Sequence, residues 1–271
     1  MKICIYSSEL AVVTGHNTYK DVGEIILKLW QNNFPDDYEE ILKERNIVVE
    51  STDDYIKRIS KENKLDFSKK LKECLESGDV EGMTKTKREI LKKLDSVPMK
   101  DRQQIKDCIK EKTNTNFGTR HENSGISRYI QEHGDTVKKV ETFFKKQVLK
   151  NKYEWYIGGK IDGINQDNVI IEVKNRMNRL FYTLRGYEKV QVFSYLYILE
   201  LENARLVECY KKKDNCDINV IDIEFDQDYW DNEIMSKVIE FASMFENFME
   251  NREKRVKLAD ILFSGNTTGN L

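Results

Sequence analysis

Asp162, Glu172 and Lys174 are the residues whose types and spacing suit chemistry. They stand in two runs, Gly158-Gly159-Lys160-Ile161-Asp162-Gly163-Ile164 and Val169-Ile170-Ile171-Glu172-Val173-Lys174. Side chains of a strand alternate between faces. Glu172 and Lys174 therefore share one face, and Val173 takes the packed face with Val169 and Ile171. The polar Asn165-Gln166-Asp167 between the runs suits a hairpin turn, which brings Asp162 beside Glu172. Two carboxylates with the Val173 carbonyl make a set of hard oxygen ligands for Mg²⁺ or Mn²⁺. Such an ion polarises a phosphoryl oxygen and lowers the pKa of a bound water. The lysine ammonium orients that water or neutralises charge developing on the phosphate. This is equipment for hydrolysing a phosphodiester. The competing reading is an ordinary surface hairpin, because Glu-X-Lys is a common triplet.

Two further features bear on the same place. Gln191 and Tyr195 are four residues apart in a predicted helix, so they share a face and look back at the site. The plainer alternative makes Tyr195 core and Gln191 exposed. Upstream, Gly118-Thr119-Arg120-His121-Glu122 puts Glu122 near a helix start, facing the same metals. Its alternative is a carboxylate that complements the helix dipole. His121 is left out of the ligand set.

These residues must be positioned by elements. The sequence predicts a helix over 119–133, stopped by Gly134, and an extended segment over 137–148. Strands follow over 154–164 and 168–174, then an aromatic-rich helix over 181–200. Two more strands, 204–210 and 218–225, flank a turn at Lys213-Asp214-Asn215. A long helix over 228–257 follows. Helix, three strands, helix, two strands, helix predicts an α/β core with a mainly mixed five-stranded sheet flanked by helices. The stretch 37–112 is rich in Lys, Glu and Leu. It predicts several amphipathic helices broken near Gly78-Asp79 and Ser96-Val97-Pro98.

Composition sets limits. The chain has 271 residues, 39% apolar and 34% charged, with twelve Phe, thirteen Tyr and three Trp to fill a core. Disorder of the whole chain is excluded. No window is apolar enough for a membrane span, and Met1–Tyr6 is too short an apolar run for a secretory signal. Five scattered Cys make no disulfide framework and suit a reducing, intracellular, soluble protein. Without a Cys-X-X-Cys pair, no iron–sulfur cluster is expected. Net charge is −2, yet residues 84–112 hold ten Lys/Arg against five Asp/Glu. That segment is either a solvated helical face or a cationic arm for a polyanion.

Asp162, then Glu172-Val173-Lys174, then Gln191-X-X-X-Tyr195, resembles the PD-(D/E)XK nuclease superfamily. Ile161 stands where that pattern has its proline. Gly118-Thr119-X-X-Glu122, with Tyr129 seven residues on, is similar to the lambda-type alkaline exonucleases and the YqaJ viral recombinase family. The opening Ser7-Ser8-Glu9-Leu10-Ala11-Val12-Val13-Thr14-Gly15-His16-Asn17-Thr18-Tyr19 resembles the same family. The likeness covers roughly 6–36 and 116–225. It implies a restriction-endonuclease-like core over 1–36 and 116–260 and a basic helical insertion over 37–115; the terminal residues 261–271 are expected to form a mobile tail.

The resemblance also implies an activity: a metal-dependent deoxyribonuclease, an exonuclease working 5′→3′ at duplex DNA ends in recombination, repair or replication. Glu122, Asp162 and Glu172, with the Val173 carbonyl, would hold Mg²⁺ or Mn²⁺, two ions in all. Lys174 would be the catalytic lysine, and Gln191 a supporting or DNA-contacting residue. Ser8 matches the family's phosphate-binding position near the strand end. The arginine that assists end binding upstream of that serine has no counterpart, and Arg120 or an insertion lysine is expected to substitute. Arg176, Arg179, Arg185 and Tyr195 are expected on the DNA. The implied partners are double-stranded DNA with free ends, a single-strand annealing or recombination protein, and further copies of the chain. A viral or phage origin is implied too. Rival readings are a structure-specific or flap endonuclease on the same core and a catalytically silent DNA-binding recombination protein.

Overall fold

The computed structural model describes residues 1–77, 80–94, 97–212 and 215–263. The expected helix break at Gly78-Asp79, the turn at Lys213-Asp214 and all but the start of the tail expected over 261–271 lie outside the described residues; 261–263 belong to the last helix. The chain opens with β1 (Lys2–Tyr6), α1 (Ser7–Val13), α2 (Val22–Asn33) and α3 (Pro35–Glu44). Helices α4 (Thr52–Glu62), α5 (Phe67–Ser77), α6 (Val80–Lys93) and α7 (Met99–His133) follow. Then come β2 (Val137–Lys139), β3 (Phe144–Lys150), β4 (Glu154–Gly159), β5 (Gly163–Asn165) and β6 (Ile170–Arg176). Helix α8 (Gly186–Leu199) leads to β7 (Asn203–Lys212) and β8 (Asn215–Glu224). The described chain ends with α9 (Gln227–Tyr229), a π-helical turn (Trp230–Met235), α10 (Ser236–Glu250) and α11 (Arg252–Phe263).

The α/β class and the five-stranded mixed sheet are as the sequence predicts. That sheet has the order β2-β5-β6-β7-β8, with β6 and β7 parallel and the other neighbours antiparallel. A second, three-stranded sheet, β1-β4-β3, was not foreseen; β1 runs parallel to β4 and β3 antiparallel to it. The single strand expected over 154–164 is therefore two strands in two sheets. It breaks at Lys160-Ile161-Asp162. There the Asp162 carboxylate, Oδ2, accepts the Val173 N–H at 2.8 Å, in the place a backbone carbonyl would take in a continuing ladder. Asp162 thus sits where the chain passes from one sheet to the other.

Both faces of β6 are covered. The main core gathers Ile3, Ile5, Leu10, Trp30, Trp155, Ile157, Ile170, Phe193, Leu206, Trp230 and Phe245. On the other face Ile171 and Val173 meet Ile126 and Tyr129 of α7, with Val207 and Cys209 of β7. A separate core within the predicted insertion joins α4 to α7 through Tyr55, Ile59, Leu71, Ile90, Leu94, Ile105 and Ile109. Two expected boundaries fall inside helices. Residue 37 lies in α3, whose Tyr38 and Ile41 belong to the main core; its Asp37 accepts from Trp30 Nε1 at 2.6 Å and pairs with Arg255 at 2.9 Å. Residue 116 lies within the unbroken α7.

Helix ends follow local chemistry. Helix α7 stops where expected, with Gly134 left-handed at φ 73°. Helix α8 begins at 186 rather than 181, because Glu188 caps it by accepting the Arg185 N–H at 3.4 Å. The predicted helix over 228–257 is divided by the π-helical turn and by extended Asn251 at φ −107°, ψ 101°. Among the described residues, no helix is long and apolar enough to cross a membrane.

Candidate active site

The alternation inferred for β6 holds. Glu172 and Lys174 lie on one face, with Lys174 Nζ donating to Glu172 Oε1 at 2.8 Å. Gln191 reaches them from α8. Its Oε1 accepts from Lys174 Nζ at 2.9 Å, and its Nε2 donates to Glu172 Oε1 at 3.1 Å and to Tyr195 Oη at 2.9 Å. One helical turn separates Gln191 from Tyr195, so the tyrosine hydroxyl fixes the amide that fixes the Glu–Lys pair. Asp162 completes the group by its bond to the backbone of Val173.

The electrostatics are those of crowded, buried acids. Burial, then the charge of Glu172, and after it that of Glu122, push the Asp162 carboxyl up to about 8, against the lowering pull of the Val173 N–H and Lys174. For Lys174, burial alone would lower the ammonium pKa; Glu172, by charge and hydrogen bond, and Asp162 and Glu188 more than offset it, and the net shift is upward. Burial, then Glu172, also raises the Tyr195 hydroxyl. Glu172 is 3% exposed. Its Oε2 is buried and accepts no hydrogen bond. A buried carboxylate oxygen without a partner is costly, and a cation beside it would remove the cost.

The raised Asp162 pKa makes a stability prediction. An unfolded aspartate loses its proton near about pH 3.9, whereas the folded one holds it to about pH 8. Between these values the folded state binds more protons, so its stability falls as pH rises. Thermal melts of the metal-free protein in EDTA should show this decline, and Asp162→Asn should remove its part of the slope. Equal slopes for the two proteins would refute the strained carboxyl.

The donor set suits a hard divalent cation. Asp162 and Glu172 offer carboxylate oxygens, and β6 carries the Val173 carbonyl on the edge whose N–H meets Asp162. The expected third carboxylate is not drawn in. Among the described residues no three His, Cys, Asp or Glu side chains form a group able to hold a metal. Glu122, half-buried on α7, acts on Asp162 through its charge.

The expected DNA contacts divide. Arg176 is a correction: it is 9% exposed, and its guanidinium is enclosed by Glu188 at 2.6 Å and Glu208 at 2.7 Å. Glu208 also accepts the backbone N–H of Phe181 at 3.2 Å and of Tyr182 at 2.8 Å. Arg176 therefore ties the loop before α8 to the sheet and offers no charge to a phosphate. Tyr195 is a second correction, being buried at 5% exposure with its hydroxyl on Gln191. Arg179 and Arg185 are exposed and line one cleft with Phe181 and Tyr182. Ser8 is exposed in the first turn of α1, while its neighbour Ser7 is buried and donates to the Gly158 carbonyl at 3.2 Å. The side chain of Arg120 lies outside the described residues. Glu188 and Glu208 were missed by sequence reasoning; an acid inside an otherwise apolar strand, as Glu208 is in Leu206-Val207-Glu208-Cys209, was the available signal.

Neither a family model nor a curated protein matches the chain. Among solved structures it is similar to an alkaline exonuclease from Laribacter hongkongensis, at 20% identity and a TM-score of 0.44 over 53% of this chain and 74% of that one. The same exonuclease in complex with dAMP gives 16% identity and a TM-score of 0.38 over 70% and 92% of the two chains. A phage related exonuclease from Haemophilus somnus 129PT gives 15% and 0.36 over 55% and 73%.

Proposed function

We propose that the chain is a divalent-metal-dependent deoxyribonuclease that hydrolyses phosphodiester bonds. The observation that carries this is the buried Glu172, with one oxygen held by Lys174 and Gln191 and the other unpartnered, beside Asp162. A site for binding DNA alone has no use for buried acids, which repel phosphate. Mg²⁺ or Mn²⁺ held by Asp162, Glu172 and the Val173 carbonyl would supply a polarised phosphoryl oxygen and an activated water. Lys174 is kept protonated in this site, so its ammonium can stabilise charge as it develops on the phosphate. Gln191 fixes the lysine, and Tyr195 fixes Gln191. Action at duplex ends, 5′→3′ polarity and a role in recombination or repair are supported by the motif resemblance rather than by this geometry.

End-labelled linear duplex and closed circular DNA, each with Mg²⁺ or EDTA, test the proposal. Stepwise loss from linear DNA with Mg²⁺, none in EDTA and intact circles are expected. Cut circles would make it an endonuclease, binding without cleavage a silent DNA-binding protein, and robust cleavage in EDTA would refute the metal site. Glu122→Ala separates two roles in the same assay. A loss of about 10²–10³ in rate, the usual cost of removing a positioned electrostatic group, marks a ligand for the reacting metal; a mild effect marks only a charge near Asp162.

The insertion makes a further testable contribution. In α6, Ile90 and Leu94 are buried in the second core, while Lys85, Arg88, Lys92 and Lys93 are exposed. If this face holds phosphates, log affinity falls with log salt by about 0.9 per contact on duplex DNA. Neutralising Lys85, Lys87, Arg88, Lys92 and Lys93 together should weaken binding and flatten that slope, and leave cleavage at saturating DNA nearly intact. Unchanged affinity and slope would identify a solvated face.

A further inference from the structure

The three-stranded sheet has one covered and one open face. Ile3, Ile5, Trp155 and Ile157 point into the main core. The alternate residues point away from it. In register, Tyr6 of β1 stands beside Gly158 of β4, which stands beside Lys145 of β3; Cys4 stands beside Tyr156, which stands beside Gln147. Gly158 has no side chain, and the ring of Phe143 fills the space above it. A Cβ at Gly158 would lie 2.8 Å from Phe143 Cε1 and Cζ. Phe143 thereby meets Tyr6 edge-to-face, with ring centres 5.8 Å apart at 75°. Both rings are open to solvent, Tyr6 at 42% and Phe143 at 49%.

Lysines surround these aromatics. Lys28 Nζ stands 4.4 Å from the centre of the Tyr6 ring, and Lys145 and Lys2 stand 5.3 Å and 5.9 Å from that of Tyr156. Glu9 pairs with Lys28, and Glu154 accepts the Tyr156 hydroxyl at 3.1 Å, which leaves the exposed Lys2 and Lys145 to meet a phosphate. Exposed rings among cations suit one class of ligand. The rings stack on nucleobases, which all have a π-face, and the lysines neutralise the backbone between them. A duplex hides its base faces; a single strand presents them. Gly158 stands four residues before Asp162 in the chain, and its carbonyl is held by Ser7, the residue after Tyr6.

We infer that Tyr6, Phe143 and Tyr156, with Lys2 and Lys145, form a base-stacking platform for single-stranded DNA on the open face of the three-stranded sheet. As a platform for the substrate strand, it rests on the nuclease reading above. The test is equilibrium binding of the full chain, in EDTA, to a fluorescent oligothymidylate and to an abasic strand of equal length. The wild type should prefer the base-bearing strand. Tyr6→Ala with Phe143→Ala should weaken that binding about tenfold or more, as alanine substitution at stacking sites does, leave the abasic strand unaffected, and still melt cooperatively, which shows that the fold is kept. Phe143→Trp with Tyr6 intact should retain the preference. Equal wild-type affinity for both strands, or unchanged oligothymidylate affinity in the double variant, overturns the platform. A protein that cleaves DNA without this preference keeps the nuclease reading and loses the platform. One that shows the preference but cleaves no DNA loses the nuclease reading and keeps a single-strand site.

Discussion

Alanine at Lys174 is expected to lower the rate of DNA cleavage about 10²–10³-fold at saturating substrate, the scale for loss of a positioned electrostatic group. The ammonium is the only cation bonded to Glu172 among the described residues. Gln191 Nε2 still donates to Glu172 Oε1 at 3.1 Å, so the carboxylate keeps one partner and the fold is expected to persist. Single-turnover cleavage with excess Mg²⁺, beside a circular-dichroism melt, checks both parts. A wild-type rate in Lys174→Ala would show that the Glu-X-Lys spacing is a coincidence and that the acids do not form a nuclease centre.

Val173→Asp should unfold the protein rather than merely silence it. Val173 is 6% exposed among Ile126, Tyr129, Ile171, Val207 and Cys209. Helix α7 lies directly on it: a Cβ at Gly125 would come within 2.6 Å of Val173 Cγ1 and 2.8 Å of Cys209 Sγ. No room is left for a carboxylate or its water. An unpaired buried charge costs several kcal/mol, against a total stability of about 5–15 kcal/mol. Soluble yield and a thermal melt report the result. A folded Val173→Asp protein would mean a different strand register, and with it a different face for Glu172 and Lys174.

The parts of the site that local periodicity controls were legible. The two-residue repeat of a strand placed Glu172 and Lys174 together, and the four-residue spacing of a helix placed Gln191 over Tyr195. Gly134 marked the end of α7. What long-range pairing controls was not legible. Strand β1 carries its own alternation in Ile3 and Ile5, but only five residues of it, and its partner lies about 150 residues away. Strand β3 hides its period because Lys145, Lys146 and Lys150 break the apolar alternation. The break before Asp162 comes from a change of sheet, which no local residue type announces. Arg176 looked like a phosphate ligand because its partners are distant, Glu188 by 12 positions and Glu208 by 32. Charge in a sequence shows its sign; only the fold shows whether it is already satisfied.

The enclosure of Arg176 by Glu188 and Glu208 also bears on how such a chain can change over generations. Removing one member of a buried ion cluster leaves an uncompensated charge and costs about 3–5 kcal/mol, whereas exchanging the whole cluster for well-packed apolar residues is often neutral or better. The intermediate steps are therefore the expensive ones. Drift cannot enter these three positions one at a time without passing through a poorly folding ancestor. Descendants should keep all three together or replace them as a block, most readily after a stabilising change elsewhere. Covariation of 176, 188 and 208 would then be the inherited trace of a desolvated charge, without any of the three ever touching substrate.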